Sequence, residues 1–146
     1  MGAFEYSVWI AATPAEVWRT YVDPDRIPEW QTGRPVIEQV QGEPGEPGST
    51  YVSKRGPLRA RTEVLTSSPP TRLLTRTHAY LGLQFEVTSQ LTERSGGTDL
   101  QLTVGTVWPP GRRLLGRLIE RAVLSSREAA KELQNLRTII ERSVTD

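Results

Sequence analysis

The chain has 146 residues, a length that suits one domain, here 1–146, with its own core. Its net charge is +1, and its 16 Arg are scattered rather than clustered, so neither nucleic acid nor a membrane surface is an expected partner. Zero cysteines exclude disulfides, thiolate metal sites and thiol nucleophiles, and no apolar run approaches the length of a membrane span. Residues 4–12 alternate: Phe4, Tyr6, Val8 and Ile10 share one face, and Glu5, Ser7 and Trp9 the other, which predicts a half-buried strand. Trp9 on the polar side is expected to be a partly covered aromatic, under a neighbouring loop or at a dimer contact. Thr13-Pro14-Ala15-Glu16 opens a helix, with Thr13 as cap, Pro14 in the first turn and Glu16 completing a capping box. Val17, Trp18 and Tyr21 form its buried side. Asp23-Pro24 stops it, and residues 24–30 make a second short helix.

Strands are then expected over residues 34–41, 49–54, 58–67, 72–80, 83–91 and 100–108. The glycine- and proline-rich run between the first two resembles collagen only briefly and is expected to be a hairpin loop. Ser95-Gly96-Gly97-Thr98 reads as a hairpin turn. Sequential hairpins imply an antiparallel sheet. The chain ends in a long amphipathic segment over residues 110–143. Its apolar stripe is Leu115, Leu118, Ile119, Ala122, Ala129, Leu133, Leu136 and Ile140. Arg117, Arg121, Glu128, Glu132, Arg137 and Glu141 form the expected solvated face. At about 1.5 Å per residue this helix is on the order of 45 Å long. It cannot bury its stripe alone, so the sheet must supply the partner surface.

The stretch from Ile10 to Trp18 (IAATPAEVW), with Val22-Asp23-Pro24 and Glu29-Trp30, resembles the N-terminal signature of the START-like helix-grip superfamily (SRPBCC), in its polyketide cyclase/dehydrase-like branch. Gly48-Ser49-Thr50, residues 68–73, and Leu133 to Leu136 with Glu141 are similar to the same pattern. The resemblance spans nearly the whole chain. It rests on packing and turn residues, and therefore speaks to fold more than to chemistry. It implies an α+β helix-grip fold: a seven-stranded antiparallel sheet wrapped around the C-terminal helix, two short helices after the first strand, and a cavity for an apolar small molecule.

On strand 72–80, Arg76, His78 and Tyr80 share one face, and Thr75, Thr77 and Ala79 the other. If the first set points inward, it forms a polar patch able to orient a carbonyl or move a proton, with His78 the only histidine of the chain. If the register is reversed, the three are surface residues. Trp18, Trp30, Tyr51, Phe85 and Trp108 are candidates for a pocket wall or for ordinary core, and His78 and Tyr80 for its polar lining. Glu38, between Val36 and Val40, is either solvated on an edge strand or a carboxylate paired with an arginine such as Arg76. No metal site or bound cofactor is expected, because one histidine and no cysteine leave no ligand set, and neither a nucleophile elbow nor a dinucleotide fingerprint is present.

Three functions are compatible with this reading. The first is binding of a hydrophobic, lipid-like or polyketide-like molecule. The second is a cyclase or aromatase working through Arg76, His78 and Tyr80. The third is a protein-interaction module of the kind found in activators of heat-shock chaperones. The expected setting is cytoplasmic, since no secretory leader is visible. An edge strand that could pair allows a homodimer.

Overall fold

The computed structural model describes residues 3–79, 82–107 and 126–145. Expectations for Tyr80, for Trp108 and for the first half of the long helix lie outside these residues. Seven strands form one antiparallel sheet: β1 (Ala3–Ile10), β2 (Val36–Gln41), β3 (Thr50–Arg55), β4 (Leu58–Ser68), β5 (Arg72–His78), β6 (Gln84–Arg94) and β7 (Gly97–Val107). Helix α1 (Pro14–Tyr21), a 3-10 turn and helix α2 (Ile27–Trp30) follow β1, and helix α3 (Ser126–Thr145) closes the described chain. The strand order is β1-β7-β6-β5-β4-β3-β2. Consecutive hairpins build β2 to β7 in sequence, while the helices carry the chain from one edge, β1, to the other, β2.

Local chemistry explains the junctions. Thr13 accepts from the Glu16 N–H at 3.2 Å, and the Glu16 carboxylate accepts from the Thr13 N–H at 2.9 Å, which completes the capping box of α1. Thr98, with no exposed surface, donates to the Ala12 carbonyl at 2.8 Å and fixes the chain leaving β1. Trp9 covers the β6–β7 hairpin, where its indole N–H donates to the Arg94 carbonyl at 2.9 Å.

The inner faces of β1 and β7 follow the expected alternation. Val8, Ile10, Leu100 and Val104 are buried, as are Leu133, Leu136 and Ile140 of α3. Each such side chain contributes about 1.5–3 kcal/mol of transfer free energy, against a few tenths for the half-buried Arg137–Glu141 pair one turn apart. The apolar stripe therefore holds the helix. Two residues expected on its solvated face do more than meet water. Glu141 accepts from the Ala11 N–H at 2.8 Å, and Glu132 accepts from the N–H and hydroxyl of Thr32 at 2.9 and 3.0 Å. Asn135 donates to the Trp30 carbonyl at 3.1 Å. These bonds pin α3 to the loops that follow β1 and α2.

Strand β2 turns the expected apolar face outward. Val36 and Val40 lie 61% and 42% exposed, while Ile37 packs against the core. Gln39 has φ 52, and the register shifts between Glu38 and Gln41. Glu38 sits on this edge strand, 3.3 Å from Lys54 and 3.6 Å from Arg59. It does not pair with Arg76, which lies 2.8 Å from Glu86.

Candidate functional site: a cavity under the helices

The concave side of β3 to β6 does not close completely on the helices. It leaves a cavity of about 310 Å³. Its floor is the inward side-chain row of each strand: Tyr51 and Ser53 on β3, Thr62 and Val64 on β4, Leu73, Thr75 and Thr77 on β5, Phe85 and Val87 on β6. Tyr21, Ile27 and Trp30 cover it from α1 and α2. Gly45 in the β2–β3 loop completes the wall against Val22. It has φ +83, and a Cβ there would lie 3.2 Å from the valine.

This register settles the face of β5. Thr75 stands opposite Val64 and Val87, and Thr77 opposite Thr62 and Phe85, all of them cavity residues. Arg76 and His78, offset by one, occupy the outer face. Arg76 pairs there with Glu86, and His78 is exposed, opposite Arg61 and Gln84. Arg76 and His78 thus take the outward alternative, and neither lines the cavity. The physical reason is that burying a guanidinium costs far more than burying a threonine hydroxyl that can find a partner. Trp30, Tyr51 and Phe85 do line the cavity. Trp18 instead packs, half-buried, against the main core.

Among the described lining residues, those that ionise are Tyr21, Tyr51, Arg55 and Arg59. Burial pushes the Tyr21 phenol up to about 12, partly offset by its bond to Ser89 (Oη to Oγ 2.7 Å) and reinforced by the neighbouring Tyr51. Burial likewise raises Tyr51, against the lowering effect of its hydrogen bond to Thr62 and the charge of Arg55. Both phenols are therefore neutral donors at ordinary pH. Thr62 and Thr77 share a hydrogen bond of 2.8 Å between their hydroxyls. Trp30 is 6% exposed, its ring centroid 5.9 Å from that of Tyr21, and its buried indole N–H has no partner among the described residues. At one end Arg55 donates to Gln31 at 2.7 Å and lies 3.7 Å from Glu132, tying β3 to α2 and α3.

The hydroxyl row and Arg55 escape a sequence reading. Threonines on strands are ordinary, and only the cross-strand register brings them together.

The Tyr21 geometry makes a pH prediction. The unfolded phenol ionises near 10.0 and the native one near 12, so between these values only the native state keeps this proton. Its share of stability is full below pH 10 and is lost as pH rises through 12, about 2–3 kcal/mol in total. Denaturant midpoints measured from pH 9 to 12 should fall more steeply for the wild type than for Tyr21→Phe. Parallel curves would refute the assignment.

A family model described as "Polyketide cyclase / dehydrase and lipid transport" matches residues 1–141. The chain belongs to this family. No curated protein matches it by sequence. Among solved structures, a Thermus thermophilus protein superposes with a TM-score of 0.74 at 17% identity, covering 97% of this chain and 99% of that one. A Rhodobacter sphaeroides protein gives 0.70 at 24% identity, over 94% and 91% of the two chains. DynU16, a protein of the dynemicin biosynthetic locus, gives 0.70 at 23% identity; 95% of this chain is covered but only 47% of that one, so the chain spans about half its length. At these identities the likeness establishes the helix-grip fold of the family. No described helix is long and apolar enough to cross a membrane.

Proposed function

We propose that this family member binds an apolar small molecule, lipid-like or polyketide-like, in the cavity between its sheet and helices. The observation that carries this reading is the cavity itself: about 310 Å³, walled by Trp30, Phe85, Val64, Leu73 and Val87, with a few hydroxyls on its floor. That volume lies at the lower end of the range of small-molecule sites, and an apolar wall with few polar groups is their usual chemistry. DynU16, by the locus it comes from, supports a polyketide-like ligand.

Binding is favoured over cyclase chemistry by the lining. His78 is outside the cavity, and the described lining offers neutral phenols, which donate protons, rather than a base. An interaction module draws less support, because among the described residues the large exposed apolar side chains are spread over separate elements: Val36 and Val40 on β2, Leu58 on β4 and Val144 on α3.

The test is native mass spectrometry of freshly purified protein, with extraction of what is bound. A co-purifying neutral, apolar molecule is expected, and His78→Ala should retain it. A clean unliganded mass, with no thermal shift against lipids and aromatic polyketides, would sink the proposal.

A further inference from the structure

We propose that the row Tyr51–Thr62–Thr77 reads the ligand's polar atom, selecting a flat, mostly apolar molecule with a neutral carbonyl or phenol oxygen over a hydrocarbon or a carboxylate. This rests on the cavity being a ligand site. Tyr51 stands directly opposite Thr62 across β3 and β4, and Thr62 directly opposite Thr77 across β4 and β5. Their side chains are linked in turn, Tyr51 to Thr62 and Thr62 to Thr77. At a strand spacing of about 4.8 Å the row crosses roughly 10 Å of the floor. Phe85 continues it on β6, opposite Thr77, as a surface for an aromatic ring.

Three hydroxyls carry three O–H donors, and two links consume two of them. Neither Tyr51 nor Thr77 has a further partner among the described residues, so one O–H remains to be met. A hydrocarbon that fills the cavity strands that donor away from water, whereas a carbonyl or phenol oxygen accepts from it. Ser53 and Thr75 also line the floor, but with no side-chain bond among the described residues their hydroxyls have no preset direction. A carboxylate fares worse. The two guanidinium groups of the described lining are already committed, Arg55 to Gln31 and Glu132, Arg59 to Glu38. An incoming anion would lose its hydration without gaining a free cation from the described lining.

Three probes of nearly equal size isolate the effect: 2-acetylnaphthalene, 2-ethylnaphthalene and 2-naphthoate, titrated by calorimetry into the wild type and into Tyr51→Phe/Thr62→Val/Thr77→Val. The ketone should bind the wild type about tenfold more tightly than the ethyl compound and than the carboxylate. In the triple variant, which carries none of the three O–H donors, the ketone should fall to the ethyl compound's affinity, with the ethyl compound no weaker than before, which also reports that the variant is folded. Equal wild-type affinities for ketone and ethyl compound, tighter binding of the naphthoate, or a preference that survives the triple substitution would each overturn the assignment of the row and leave the cavity reading standing. Binding of none of the three to the wild type would overturn the cavity reading and this inference with it.

Discussion

Trp30→Ala is expected to lower the stability of the native state by about 3–5 kcal/mol and to abolish retention of any ligand. Trp30 belongs both to the buried core cluster and to the cavity lining, so its ring is the partition between the two. Removing it joins the cavity to the core and strips Tyr21 of its tilted ring partner. The backbone carbonyl of Trp30 still accepts from Asn135, so the loss is one of packing rather than of the α2–α3 tether. Trp30→Phe keeps an aromatic partition and removes an indole N–H that has no described partner. It should cost less than half as much. Urea denaturation followed by far-ultraviolet circular dichroism separates these cases, and an alanine variant within about 1 kcal/mol of wild type would show that the ring is not part of the packed core.

Gly97→Ala is the second large effect, expected at about 3 kcal/mol or more. A Cβ at this position would stand 2.5 Å from the Ile10 carbonyl oxygen and 2.5 Å from the Trp9 ring. The first contact is with backbone held in the β1–β7 ladder by the Ile10–Thr98 pair, and it cannot swing aside. The adjacent Gly96 provides the contrast. It has φ +77 with nothing within 4 Å of a built Cβ, so Gly96→Ala carries only the strain of a left-handed conformation, about 1 kcal/mol. Adding Trp9→Ala to Gly97→Ala should recover part of the loss and not all of it, since the carbonyl clash remains. The same denaturation measurements decide the order. Should Gly96→Ala prove the costlier change, the close approach of β1 to the hairpin would be wrong.

The elements were legible because their signals are local. Alternation of Val8 and Ile10, or of Leu100, Leu102 and Val104, marks strands, and Thr13 with Glu16 marks the start of a helix before any tertiary contact is known. The hidden part depended on pairing across long separations. Strand β5 carries charged residues on one face and threonines on the other, neither a clean apolar face, so alternation alone left its direction open. The cost of burying Arg76 against that of burying Thr77, which finds Thr62, decides it. Val36 and Val40 mislead for another reason: β2 is an edge strand with a bulge at Gln39, and the two valines alternate correctly on a face that nothing covers. Glu132 and Glu141 look like surface acids because their partners, Thr32 and Ala11, lie a hundred residues or more away. The cavity had no signature of its own. It is a space left between elements, and Tyr51, Thr62 and Thr77 meet there only through register.

The fully buried core cluster draws its residues from β1, β7, the far part of β6 and the three helices, and takes none from β2 to β5. The molecule is therefore built in two unequal parts. One part, around Leu100, Leu136 and Ile140, holds itself together. The other is a curved wall that, among the described residues, reaches the helices across an open space, through Ile37 and Tyr51 at the edge of the core, and through the Arg55 bridge. Opening of that wall need not disturb the first part, which gives a guest a route in that does not require global unfolding. On the function proposed above, a guest of the right shape supplies apolar contacts that the wall does not find among the described residues, and its binding stabilises the folded chain by mass action.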